Sequence, residues 1–159
     1  LYDRAIPLYE KALAGEPANV DFRSQMARMY LYLGQHDKGI QLISALPLTQ
    51  VGLFGMLLYA ETGQMAKAIE IPHGDSSRAP YGFYAFMRGH VLDAAGDHAG
   101  ANEIWTQGVR RGEDLLVRNE NPGARSIDAM IYAKLGRREQ ALRNLQQSLA
   151  ADPHNPLPL

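Results

Sequence analysis

The chain has 159 residues, of which 46% are hydrophobic and 21% charged, and its formal net charge at pH 7 is −1. These values are typical of one globular domain or of one array of small repeats. The 16 basic residues form no block, which argues against a nucleic-acid partner. The absence of cysteine excludes disulfides and thiolate chemistry, and no apolar run reaches the roughly 18 residues of a membrane-spanning helix.

Apolar residues recur at helical spacing along the chain and predict about nine α-helices. Four helices end at a glycine, a residue that readily adopts the left-handed conformation of a helix C-cap. These turn glycines are Gly34, Gly63, Gly96 and Gly136. Pro47 and Pro72 shorten the helices that follow the first two, because proline cannot continue a helix. The predicted helices cover residues 1–15, 19–33, 36–46, 49–62, 65–71, 79–95, 98–118, 122–135 and 138–151.

The sequence around each turn glycine repeats. Three positions recur: a large residue four places before the glycine, a mostly small one seven before, and a small one five after. In chain order these are Tyr30, Tyr59, Leu92 and Tyr132; Ala27, Met56, Gly89 and Ala129; and Gly39, Ala68, Ala101 and Ala141. Two antiparallel helices approach closely only where the facing side chains are small, so this pattern predicts stacked helix pairs.

In this register the sequence resembles the tetratricopeptide repeat family. The resemblance is carried by Ala5, Ile6, Tyr9, Ala12, Leu13, Pro17, Ala27, Tyr30, Gly34, Ala129, Tyr132, Gly136, Ala141, Leu149 and Pro153. It implies an all-α, right-handed superhelical solenoid of antiparallel helix pairs. It also implies one array over residues 1–159, with about four and a half repeats. The boundaries are a half repeat at 1–18, then repeats at about 19–48, 49–78, 79–120 and 121–155, of which the middle ones are irregular.

The resemblance implies a noncatalytic scaffold that binds a partner protein, as a peptide or a helix, on the concave face formed by the first helix of each pair. Counting back from the turn glycines predicts the side chains on that face, which are Ser24, Arg28, Tyr32, Leu53, Leu57, Glu61, Phe83, Phe86, His90, Met130 and Lys134. The apolar members fit a buried core as well as a groove. Only Arg28 could serve in the family's carboxylate clamp, which argues against a chaperone tail as the ligand.

The first predicted helix matches the second half of a repeat. Its face at Ala5, Tyr9 and Ala12 would therefore lack a partner helix, and we expect a second protomer or upstream sequence to cover it. We expect the chain to be a piece of a larger, bacterial protein. The alternative function is a structural or regulatory spacer, or a self-association module, without a peptide groove.

No residue pattern indicates catalysis, a metal or a cofactor. The histidines, His36, His73, His90, His98 and His154, lack metal-ligand spacing. The segment with His73, Asp75, Ser76 and Ser77 holds its polar residues as close neighbours, whereas nucleophilic triads are assembled from separate elements. We therefore expect a protein that is not an enzyme, binds no nucleic acid and does not insert into membranes. A cysteine-free chain suits both cytoplasm and periplasm, and we expect the cytoplasm.

Overall fold

The computed structural model describes residues 2–72, 81–118 and 122–152, and within these ranges the chain forms nine α-helices and no strand. The predicted all-α fold is confirmed. The helices are α1 (Tyr2–Gly15), α2 (Val20–Tyr32), α3 (His36–Ile43), α4 (Leu48–Glu61), α5 (Met65–Glu70), α6 (Tyr81–Ala94), α7 (His98–Arg118), α8 (Pro122–Lys134) and α9 (Arg138–Ala151).

The chain divides into two compact units, residues 1–74 (unit 1) and residues 75–159 (unit 2). In unit 1, α2 packs against α1, α3 and α4, and α4 packs against α3 and α5. In unit 2, α8 packs against α6, α7 and α9, and α6 packs against α7. Each helix thus contacts the next one or the next but one, which is the pattern of stacked helix hairpins. The single array over residues 1–159 stays a prediction.

The four turn glycines adopt the predicted left-handed conformation, with φ between 66° and 86°. In every one of these turns, the amide of the residue after the glycine donates to the carbonyl of the residue four places before the glycine. The Gln35 amide to the Tyr30 carbonyl and the Arg137 amide to the Tyr132 carbonyl are both 2.9 Å long. This Schellman-type bond satisfies a carbonyl that the helix end would otherwise leave open, and it sets the repeated hairpin geometry.

Close helix contacts occur at the small positions that the repeat predicts. Gly89 of α6 lies against the Trp105 indole of α7 so closely that a Cβ at Gly89 would be 2.5 Å from Cδ1. Trp105 is 3% exposed, and its indole N–H donates to the Phe86 carbonyl at 3.2 Å. In unit 1, Gly39 of α3 lies in the same way against Leu58 of α4. The absent glycine side chain is what allows each bulky partner to fill the interface.

Two details of unit 1 differ from the prediction. Helix α3 ends at Ile43, three residues early, because Pro47 disfavours helical backbone at Leu46 and the chain turns before it. Helix α4 is broken at Gly52, whose φ of 67° and ψ of −173° are non-helical. That conformation is essentially restricted to glycine, so the regular part of α4 begins at Leu53.

Candidate functional site

Four side chains from three helices of unit 1 form a continuous surface. Tyr2 of α1 stacks on Tyr32 of α2, with ring centroids 5.6 Å apart. Tyr32 meets the Phe54 ring of α4 nearly edge-on at 6.2 Å, and the Arg28 guanidinium lies 5.5 Å from the centroid of the same Phe54 ring. We call this set, Tyr2, Arg28, Tyr32 and Phe54, the aromatic–arginine surface.

Arg28 is the polar member of this surface, and no described residue offers it a polar partner. Its Nε is buried and makes no hydrogen bond, and no ion pair joins the guanidinium to any described residue. A buried N–H without an acceptor costs about 1–3 kcal/mol, so such groups are rare in folded proteins. The Phe54 ring compensates for part of that cost through a cation–π contact. The guanidinium therefore retains unused donor capacity at this surface.

Local structure explains how the surface is positioned. Arg28 and Tyr32 are four residues apart on α2 and so share one helix face. Helix α2 begins at a side-chain cap, in which the Phe22 amide donates to Asn19 Oδ1 at 3.0 Å. Phe54 lies in the first turn of regular α4, two residues after the break at Gly52. Tyr32 is 55% exposed, so one member of the surface is open to a ligand.

The other residues predicted in unit 1 have mixed environments. Leu57 is 9% exposed and belongs to the core, whereas Leu53 and Ser24 are half-buried and Glu61 is exposed. Of the residues predicted in this unit, the structure brings Arg28 and Tyr32 together. Their neighbours Tyr2 and Phe54 were not among the predicted site residues.

The residues predicted in unit 2 are spread over two helices. On α6, Phe83 and Phe86 are half-buried against the core cluster around Trp105, and His90 is exposed. On α8, Met130 is half-buried against the same cluster, and the exposed Lys134 places its ammonium 5.8 Å from the Trp105 ring. Whether these residues form a binding face stays a prediction.

Met130 also lines an apolar groove between α8 and α9. The groove has a volume of about 420 Å³ and includes Ala133, Leu142 and Leu145. Leu142 is exposed, so the groove is open on its α9 side.

The predicted self-association edge on α1 is partly packed. Ala5, Tyr9 and Ala12 are half-buried, and the Tyr9 ring meets Phe22 of α2 edge-on at 6.0 Å. The most exposed large apolar side chain on this helix is instead Leu8, at 70%. A second protomer at this edge stays a prediction.

A buried polar cluster that the sequence did not reveal lies between α7 and α8 of unit 2. Asp128 is 1% exposed, its Oδ2 has no hydrogen-bond partner among the described residues, and a Cβ at Gly112 would be 2.5 Å from both carboxylate oxygens. Burial raises the pKa of Asp128 to about 7, the Glu113 charge adds to this rise, and the Arg125 charge opposes it. The Tyr132 hydroxyl donates to Glu113, and burial raises the pKa of Tyr132.

The described residues offer no arrangement suited to metal binding. Among them, no three histidine or carboxylate side chains lie close enough together to hold an ion. His90 and His98 are exposed, and His98 contacts Asp93 at 2.7 Å. His73 and His154, with the segment around Ser76 that was weighed for catalysis, lie outside the described residues.

Comparisons with known proteins agree with the repeat pattern. Two family models described as tetratricopeptide repeat match residues 1–52 and 129–155. A search of the curated protein sequences finds no match. In the part of the chain that the structure describes, no helix is long and apolar enough to cross a membrane.

Solved structures share the fold. TTC0263, a thermophilic tetratricopeptide repeat protein from Thermus thermophilus, is similar with a TM-score of 0.63 and 22% identity, covering 97% of this chain and 84% of that one. MamA is similar with a TM-score of 0.55 and 19% identity, covering 96% of this chain and 89% of its own. With its four Schellman-type glycine turns and family matches near both ends, the chain belongs to the tetratricopeptide repeat family.

Proposed function

We propose that this protein is a noncatalytic interaction scaffold that binds a partner peptide or helix, and that unit 1 binds it through the aromatic–arginine surface. The observation that carries the proposal is the Arg28 guanidinium, which has no acceptor among the described residues yet lies beside an exposed aromatic ring. Aromatic and arginine side chains are enriched among the residues that dominate binding energy at protein interfaces. The family assignment supports the same function, because tetratricopeptide repeat proteins are generally interaction scaffolds.

The proposal is tested by capturing partners with the full chain and with the Arg28→Glu/Tyr32→Ala double variant. We expect the double variant to lose a partner that the unchanged protein retains, because it removes both the cation and the exposed ring. Lys38→Glu is a matched control, since the Lys38 ammonium also lies over a ring of unit 1, at 5.6 Å from the Tyr30 centroid. Equal capture by all three proteins would exclude this surface as the binding face.

A second candidate, self-association without a peptide groove, is favoured by the exposure of Leu8 on α1. In this case the chain would form dimers whose proportion rises with concentration, and Leu8→Glu would return it to a monomer. Sedimentation velocity over a roughly hundredfold range of concentration measures this directly, since dimer formation follows mass action. A monomer at every concentration would exclude the second candidate.

A further inference from the structure

We infer that the partner segment presents an acidic side chain to Arg28 and an apolar or aromatic side chain to Tyr32, two residues apart in an extended strand. The inference rests on the proposed function and specifies the chemistry of its partner. It follows from the unused donors of Arg28, the exposure of Tyr32 and the distance between these two residues.

The acidic part follows from the way Arg28 is held. The Phe54 ring lies 5.5 Å from the guanidinium, while the buried Nε–H finds no acceptor among the described residues. A carboxylate fits such a group best, because its two oxygens match the guanidinium fork and the charges attract. A neutral acceptor would satisfy one donor and leave the charge uncompensated.

Neighbouring acids of unit 1 do not serve this purpose. The Glu10 carboxylate faces the Tyr30 hydroxyl at 3.5 Å, and the Glu16 carboxylate accepts from the Asn19 amide at 2.7 Å. No carboxylate in the described part of the chain lies within ion-pair distance of Arg28. An acidic side chain of a partner would therefore meet no competing carboxylate from this set of residues.

The apolar part follows from Tyr32. Its ring stacks on Tyr2 and makes a T-shaped contact with Phe54, so the ring is held in place while more than half of the residue remains exposed. A ring that is already ordered gains contact area with a ligand at little further entropic cost. An apolar or aromatic side chain docked here would extend the existing row of rings.

The spacing follows from helix geometry. Arg28 and Tyr32 are separated by one turn of α2, which is a rise of about 6 Å. In an extended strand, side chains two residues apart point to the same side and are separated by about 6.5–7 Å. An acid followed or preceded by an apolar residue two positions away therefore matches this pair of anchors.

The test uses a phage-displayed library of random eight-residue peptides selected on the full chain. We expect selected peptides to share an acidic residue two positions from an apolar one. Selection on Arg28→Glu should replace that acid with lysine or arginine, and selection on Lys38→Glu should leave the acid unchanged. In a synthetic peptide from the first selection, changing the acid to its amide should weaken binding about tenfold or more, and this difference should disappear in Arg28→Gln.

Two results would overturn the inference. Selected peptides without the acid at this spacing, or an acid preference that persists in Arg28→Glu, would show that Arg28 does not read a carboxylate. The proposed function would still stand if binding of those peptides were lost in Tyr32→Ala. A library that gives no binding peptide also contradicts the inference, while the partner-capture experiment decides the proposed function separately.

Discussion

Each unit of this protein contains a buried polar atom whose hydrogen-bonding capacity is unmet by the described residues, and the two atoms differ in how they can be satisfied. In unit 1 it is the Arg28 Nε–H, on a half-buried residue beside the exposed Tyr32 ring. In unit 2, Asp128 Oδ2 is an atom of this kind, on a residue that is 1% exposed and packed against Gly112. Arg28 is partly exposed, so a partner can approach its guanidinium, whereas only a proton can relieve the Asp128 carboxylate without disturbing the core. The comparison predicts that Arg28 matters for binding and Asp128 for stability.

The largest expected effect is that of Asp128→Asn on stability at high pH. The pKa of Asp128 rises from 3.8 in the unfolded chain to about 7 in the folded one, so the stability from its protonated form is complete below about pH 4 and is lost as pH rises through 7. The amide cannot ionise, and we expect the variant to be about 4 kcal/mol more stable than the unchanged protein at pH 8, with little difference at pH 4.

Urea unfolding followed by the fluorescence of Trp105, the sole tryptophan and a core residue of unit 2, measures this difference. Asp114→Asn is the matched control, because Asp114 is exposed on the same helix α7. If the free energy of unfolding changed with pH in the same way in both variants, the burial of Asp128 would not be the cause of its raised pKa.

A smaller loss is expected for Gly112→Ala. The added methyl would lie 2.5 Å from the Asp128 carboxylate oxygens, and overpacking of this kind typically costs about 1–3 kcal/mol. Gly15→Ala in α1 is the control, because a Cβ there meets nothing within 4 Å. Thermal unfolding followed by circular dichroism compares the two. A Gly112→Ala protein as stable as the control would show that α7 and α8 separate easily at this point.

Tyr132→Phe should destabilise unit 2 by about 1 kcal/mol, because it removes the hydroxyl that donates to Glu113. The change should be seen in the same Trp105 fluorescence experiment and should leave peptide binding by unit 1 unchanged. A variant of equal or greater stability would mean that the hydrogen bond contributes nothing beyond the cost of burying the hydroxyl.

The smallest stability effect is expected for Arg28→Met. The substitution removes both the unsatisfied buried N–H, which lowers stability, and the cation–π contact with Phe54, which raises it. Because these two changes oppose each other, the free energy of unfolding should change by no more than about 0.5 kcal/mol. Binding of an acidic peptide from the library should nevertheless be lost. Urea unfolding followed by circular dichroism gives the first quantity, and a loss above about 1 kcal/mol would assign Arg28 a structural role instead.

The parts of the fold that depend on local chemistry were predictable from the sequence. A glycine after an apolar helical stretch predicts a left-handed cap, and Gly34, Gly63, Gly96 and Gly136 all adopt it. These predictions hold because each depends on residues close together in the chain.

The features that were missed depend on contacts between helices. The break at Gly52 depends on a positive φ that the surrounding apolar sequence does not reveal. Phe54, which contacts Arg28 and Tyr32, lies two residues after this break. Asp128 was not predicted to be buried. It is buried because Gly112, on a different helix, lets the two backbones approach. Two members of the aromatic–arginine surface, Arg28 and Tyr32, were therefore predicted from the sequence. The other two members, Tyr2 and Phe54, were not.

The pairing of each helix with only its next or next-but-one neighbour also has a kinetic consequence. Tertiary contacts within each unit join segments that are near in sequence, so the contact order is low and little loop-closure entropy opposes their formation. Hairpins such as α2–α3 and α8–α9 can begin to form before distant parts of the chain are ordered. The tight glycine turns thus favour rapid folding, in which a defect in one hairpin slows the assembly of its immediate neighbours first.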